Sequence, residues 1–184
     1  MAGKRGVVAT HYLPKNPEKY TGEYPIICRS SWETHVAYTF DTTESIISWA
    51  SEPLSIPYAD PTRPGTDGGP KQTVYIPDFF VVYMGDDGQE HQVMIEVKPA
   101  KEAIDEQAIR ESDRIQLARN LAKWEAASWW CQRRGIEFRV LTEGEIFGDQ
   151  KSGNIKVGNP KGLKSRGPRK PKTASKPRKA RIRR

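Results

Sequence analysis

The order of apolar segments in this 184-residue chain predicts an α/β fold with a central mixed sheet flanked by helices. Three observations carry that prediction. Two apolar runs, Thr73 to Met84 and Gln89 to Lys98, are joined by Gly85-Asp86-Asp87-Gly88, a tight hairpin signal. Both runs hold apolar residues on both parities, as strands covered on two faces do. A helical pattern precedes this hairpin, and a longer helix followed by another strand comes after it.

Taken in chain order, residues 1–25 are rich in Lys, Pro, Tyr and Gly without a period and read as an N-terminal arm or ordered loop. Arg29 to Asp41 reads as a helix, with Ser30 or Ser31 as cap and Trp32, Val36 and Phe40 recurring at spacing four. Ile46-Ile47-Ser48-Trp49 and Leu54-Ser55-Ile56-Pro57-Tyr58 are short strands, and Pro53 and Pro57 assign them to edges. Ala59 to Gln72, dense in Pro and Gly, reads as a loop. Pro99 ends the second hairpin strand. Lys101 to Gly135 reads as helix, with a break near Ser112 and Gly135 as its C-cap. Ile115, Ala118, Ala122 and Trp129 form one stripe of that helix, with Leu117, Leu121, Trp124 and Cys131 beside it. Ile136 to Leu141 is the last strand. The folded domain is therefore expected over residues 26–147. Residues 148–184 are too poor in apolar side chains to fold alone and are expected to be a disordered basic tail.

Composition narrows the classes of function. No apolar run approaches the ~20 residues of a membrane span, and no secretory signal is apparent. Cys28 and Cys131 make neither a disulfide scaffold nor a zinc site, which favours a reducing compartment. Of the 30 Lys and Arg residues, 12 lie between Lys161 and Arg184, where there is no acid. Residues 1–160 are left with 18 bases against 23 acids, a net charge of −5. The tail thus carries the positive excess and implies a polyanionic partner. Its Lys161, Lys164, Arg166, Arg169, Lys170, Lys172, Lys176, Arg178, Lys179, Arg181, Arg183 and Arg184 are candidate DNA-backbone contacts that read no sequence.

The chemistry is concentrated in the hairpin. Tyr75-Ile76-Pro77-Asp78-Phe79-Phe80 puts one Asp in the first run, and Ile95-Glu96-Val97-Lys98 puts Glu and Lys two residues apart in the second. Residues two apart on a strand share a face, so Glu96 and Lys98 project together. Cleaving a phosphodiester calls for a hard cation to neutralise phosphate charge and for an activated, aimed water. Carboxylates suit Mg²⁺ or Mn²⁺, and an adjacent lysine orients the water or stabilises the transition state. The bland alternative has Asp78 at a strand irregularity after Pro77, and Glu96 and Lys98 as an exposed pair. Against it stands the cost of burying charge at the end of so apolar a strand. Arg29, one helical turn before Glu33, either pairs with that carboxylate or touches phosphate. Gln116 is a candidate substrate contact or part of a solvated helix face. The three His residues have no metal-ligand spacing.

These segments resemble the PD-(D/E)xK nuclease superfamily, with Pro77-Asp78 and Glu96-Val97-Lys98 as its two core motifs. Arg29-Ser30-Ser31-Trp32-Glu33, Ile56-Pro57-Tyr58, Tyr75-Ile76-Pro77-Asp78-Phe79 and Ile95-Glu96-Val97-Lys98-Pro99 resemble the head completion nucleases of tailed bacteriophages. TnsA-type transposon endonucleases share the helix Glu and the Pro-Asp-Phe … Glu-Val-Lys pattern. The resemblance covers roughly residues 14–142. It implies a restriction-endonuclease-like core, with Glu33, Asp78, Glu96 and Lys98 catalytic and a Mg²⁺ or Mn²⁺ held by Asp78, Glu96 and Glu33. It implies double-stranded DNA as substrate, phage portal or neck proteins as partners, and action in the host cytoplasm during assembly or at the virion head-to-tail junction. Two rival roles are a structural neck protein on a nuclease scaffold and a transposition endonuclease.

Overall fold

The structure, a computed structural model, describes residues 9–103 and 110–147. Its centre is a four-stranded mixed sheet. Strand β3 (Ile46–Ser51) lies at one edge, followed in space by β6 (Phe79–Met84), β7 (Glu90–Val97) and β8 (Glu137–Leu141). β3–β6 and β6–β7 pair antiparallel, while β7–β8 pair parallel. A parallel pair needs a crossover, and helix α2 (Glu111–Gln132) supplies it.

The apolar hairpin forms as the sequence predicts. Gly88 takes a positive φ of 71° in the turn, and the register runs from Met84↔Glu90 to Phe79↔Ile95. Val93 through Val97 are buried without interruption. Alternate residues of β7 serve opposite layers: Val93, Ile95 and Val97 pack with Val36, Ala37 and Phe40 of helix α1 (Ser31–Thr42), and Glu96 turns the other way.

Three expectations change. Thr73 to Met84 is not one strand: it breaks at Ile76-Pro77-Asp78, separating β5 (Pro70–Tyr75) from β6. Pro77 has no N–H to give a ladder, so the chain leaves one pairing and enters another there. The segment read as a loop from Ala59 is strand to Pro64. β4 (Ile56–Pro64) pairs antiparallel with β5 in a separate ribbon, and its prolines sit where a two-stranded ribbon has free edges. The 1–25 boundary also dissolves. β1 (Thr10–Tyr12) pairs with β2 (Ile26–Cys28), and Tyr12 and Tyr20 are buried in the core around Trp49.

Helix α1 starts where Ser30 caps it, its hydroxyl accepting from the Glu33 backbone N–H at 3.1 Å. Helix α2 begins near the break expected at Ser112, and it buries the second expected row, Leu117, Trp124 and Cys131, together with Asn120 and Ala127. Ile115 and Trp129, placed on the predicted stripe, are exposed, and Arg133 lies over the Trp129 ring. Gly135 follows α2 with φ 70°, the left-handed position expected of its terminator. A short helix α3 (Glu143–Phe147) closes the described chain, with Phe147 edge-on to Trp32. Among the described residues no helix is long and apolar enough to cross a membrane.

The N-terminal segment is held by one carboxylate. Asp41, fully buried, accepts from the Tyr12 hydroxyl at 2.8 Å and from the backbone N–H groups of Lys15 at 2.6 Å and Asn16 at 2.9 Å. Burial pushes its pKa up, but these hydrogen bonds outweigh burial and hold it below the usual carboxylate range. Asp41→Ala strands three donors and is expected to cost about 2–4 kcal/mol, read by chemical denaturation. Because the folded pKa is depressed, Asp41's contribution is present above the unfolded value near ~3.9 and is lost as pH falls below it. The stability gap between the native chain and Asp41→Ala should therefore close in acid.

Candidate active site

The break between β5 and β6 creates the site. Asp78 sits one residue before β6, and continuing the Phe79↔Ile95 register by one step sets it opposite Glu96. The ladder stops there because the side chain replaces the backbone: Asp78 Oδ2 accepts from the Val97 N–H at 2.7 Å. On the other side the Asp78 carbonyl accepts from the Glu52 N–H at 2.9 Å, at the end of β3. Glu52 takes a left-handed φ of 49°, unusual for a residue with a side chain, beside this junction.

Glu96 is 2% exposed. Its carboxylate survives burial because both oxygens have partners: Oε2 accepts from the Tyr75 hydroxyl at 2.7 Å, and Oε1 pairs with Lys98 Nζ at 3.1 Å. Lys98 is positioned from behind. Its backbone N–H donates to the Leu141 carbonyl at 2.9 Å, and after Pro99 the Ala100 N–H donates to Glu143 at 2.7 Å. The structure thus brings Asp78, Glu96 and Lys98 together.

The nearby Glu96 charge perturbs Asp78. Burial first, then the Glu96 charge, pushes the Asp78 carboxyl up to about 8, although Lys98 and the Val97 N–H pull the other way. Burial pushes the Lys98 pKa down, but Glu96 and Asp78 more than reverse it, so the ammonium stays charged. Burial and then the Glu96 charge drive the Tyr75 phenol far up, keeping it a donor.

The other predicted residues stand differently. Glu33 closes the start of its own helix: Oε2 accepts from the Arg29 N–H at 2.7 Å and Oε1 from the Ser30 hydroxyl at 2.9 Å. Its charge nonetheless reaches Asp78. The Arg29 side chain pairs with Glu52 instead of Glu33, so the expected one-turn ion pair does not form. Gln116 donates to Asn120 at 3.1 Å and faces no predicted catalytic group. The twelve basic residues from Lys161 to Arg184 lie outside the described residues. Both cysteines are buried and free, and burial raises the Cys131 thiol to about 11.

Sequence reasoning missed Tyr75, Glu52 and Lys123. Tyr75 ends β5 in the ribbon, and its acceptor Glu96 lies in the central sheet, so no local spacing announces the contact. Lys123, on α2, is half-buried with Nζ 5.6 Å from the centre of the Tyr75 ring. Burial pushes its pKa down, and Glu96 and Lys98 are the charges it feels most.

The donor set suits a hard cation. Asp78 and Glu96 offer only oxygen, and Mg²⁺ is bound through one or two carboxylates plus waters. Burial first and then the Glu96 charge raise Asp78, and a divalent cation would offset that rise. Among the described residues no three His, Cys, Asp or Glu side chains are placed to share one ion, so the donors in hand are a pair.

The comparisons with known proteins identify the family. The family model described as TnsA-like endonuclease N terminal matches residues 43–143, a span from β3 to the start of α3 that includes the paired acids and the lysine. The chain is 30% identical over 145 residues to a head completion nuclease of Enterobacteria phage T4, covering 72% of this chain and 89% of that protein.

The raised Asp78 pKa has a thermodynamic consequence. Between the unfolded value near ~3.9 and about 8 the folded chain keeps a proton that the unfolded chain has released, so this group lowers stability as pH rises through that window. Asp78→Asn keeps an acceptor for the Val97 N–H and carries no charge. It is expected to raise Tm at pH 8 in metal-free buffer and to leave Tm unchanged at pH 4. Equal Tm changes at both pH values would contradict the assignment.

Proposed function

The chain belongs to the TnsA-like endonuclease family together with the phage head completion nucleases, and from that premise we propose that it is a Mg²⁺- or Mn²⁺-dependent deoxyribonuclease acting on double-stranded DNA during phage head completion and head-to-tail joining. One observation carries the reading: a buried Glu96 and a pK-raised Asp78 set opposite each other at a strand break, with Lys98 ion-paired beside them. Paired carboxylates with a charged lysine are costly to bury and give no packing return, which favours chemistry over structure as their purpose.

Asp78 and Glu96 would hold the cation, with the Val97 carbonyl on the intervening residue as a further oxygen. A bound divalent cation supplies neutralisation of phosphate charge and a more acidic water. This chain's own groups do the rest. Tyr75 and Lys98 fix the Glu96 carboxylate in one orientation. The Lys98 ammonium, kept charged by its two acidic neighbours, aims the attacking water or stabilises charge on the phosphate. Glu33, near enough for Asp78 to feel its charge, supports the cation side once its helix-capping contacts exchange. Arg29, 57% exposed in its side chain, meets the DNA backbone. The acidic body makes the basic C-terminal run the natural means of DNA capture. Portal or neck proteins are the partners this role calls for, and the host cytoplasm and the head-to-tail junction its places of action.

Purified protein is expected to cut linear duplex DNA with Mg²⁺ or Mn²⁺ and to stop on chelation. Asp78→Ala, Glu96→Gln and Lys98→Ala should each lower cleavage by at least about 10³-fold, since each removes part of one cooperating site. Glu33→Ala should cost less, and the tail-deleted chain should lose DNA binding more than turnover on short duplexes. Full cleavage by Asp78→Ala or Lys98→Ala would overturn the reading.

A further inference from the structure

We propose that Lys123 is a second cationic substrate contact of this site, taking a DNA phosphate oxygen beside the Asp78–Glu96–Lys98 cluster, a reading that rests on the nuclease assignment. Three other basic side chains near the site already have a carboxylate partner in the free protein. Lys98 is paired with Glu96 at 3.1 Å. Arg29 is paired with Glu52. Arg119, one turn before Lys123 on α2, is bound to buried Asp60 at 3.1 Å and to the Thr62 hydroxyl at 2.8 Å. Lys123 differs: it is half-buried, and among the described residues no carboxylate lies within ion-pair distance of its ammonium. Its contact is the face of the Tyr75 ring, the same phenol whose hydroxyl donates to Glu96.

A half-buried ammonium with only a π-face for company is a charge awaiting an anion. Burial disfavours its charge, Glu96 and Asp60 support it from a distance, and Lys98 and Arg119 oppose it, so among the described residues the ammonium is left without a close anion. A phosphodiester lying across Asp78 and Glu96 would bring that anion, and an ammonium binds phosphate as a point charge. The Tyr75 ring, whose hydroxyl is on Glu96, serves as the platform for this ammonium. The ribbon β4–β5 and helix α2 meet here around Tyr75 and Trp124, so the contact is held by two packed elements and not by a loop.

The test is made on the full chain with duplex DNA. Lys123→Gln should lower kcat/KM by about tenfold to a hundredfold, mostly through KM. It should also reduce the slope of log binding constant against log salt by about 0.9, the signature of one lost phosphate contact. Lys123→Arg should keep the slope. Lys123→Leu, which covers the ring without charge, gives the same result as Gln where the Gln variant does not fold. An unchanged salt slope in folded Lys123→Gln or Lys123→Leu overturns the proposal, whatever happens to Tm, because that pattern is packing alone. A native chain that binds no DNA overturns the nuclease assignment and this contact with it. A native chain that binds and cuts while the Lys123 variants match it overturns this contact only.

Discussion

Glu96 is a carboxylate in the interior of a sheet, and the surrounding structure answers its need for partners. Isolated burial of such a charge costs many kcal/mol, and removing one partner of a buried pair costs about 3–5 kcal/mol. Three layers of the fold contribute to the answer. The ribbon sends Tyr75. β7 continues two residues to bring Lys98 to the same face. The strand break at Pro77 turns Asp78 toward the sheet, where its side chain takes the Val97 N–H that a continuous β6 would otherwise have paired. The site and the topology share one cause: the chain leaves the ribbon and enters the sheet at the residue that carries the second acid.

That arrangement explains why stability and chemistry oppose each other here. A structure selected only to stay folded would replace Asp78 and Glu96 with apolar residues at this depth. Keeping them leaves an Asp that holds its proton to about pH 8, a group unsuited to metal-free folding in mildly alkaline solution and well suited to receive a cation. Burial and the Glu96 charge thus leave Asp78 a carboxyl whose ionised form a divalent cation would stabilise.

Much of this was legible in the sequence, for reasons that differ by element. The β6–β7 hairpin has a two-glycine turn and unbroken apolar strands, so both its existence and its central place follow from local signals. The shared face of Glu96 and Lys98 follows from strand periodicity alone. The break at Ile76–Asp78 was missed because apolar and β-branched residues run straight through it, and only Pro77 marks the discontinuity. The β4–β5 ribbon was hidden by Pro61, Pro64 and Pro70, which are loop signals in a central strand but are tolerated where a strand edge is free. On α2 the buried face was chosen by its neighbours: Asn120 is buried and donates to the Glu102 carbonyl at 3.1 Å, while Ile115 and Trp129 lie on the exposed side, where Arg133 covers the Trp129 ring. Hydrophobicity could not have ranked Asn120 above Trp129.

Glu33 shows where motif and geometry part. The motif assigns it to the cation, whereas both its oxygens are bound to the start of α1. The two roles are not exclusive, because the bond from the Arg29 N–H lies at the solvent-exposed start of the helix. Its exchange from the Arg29 N–H to a cation would cost one exposed hydrogen bond, about 1 kcal/mol, against the gain of neutralising a cluster that holds Asp78 and Glu96 as well. Burial raises the Cys28 thiol, and the charges of Glu33 and Asp78 both add to that rise, so the start of α1 and the strand junction share one electrostatic neighbourhood.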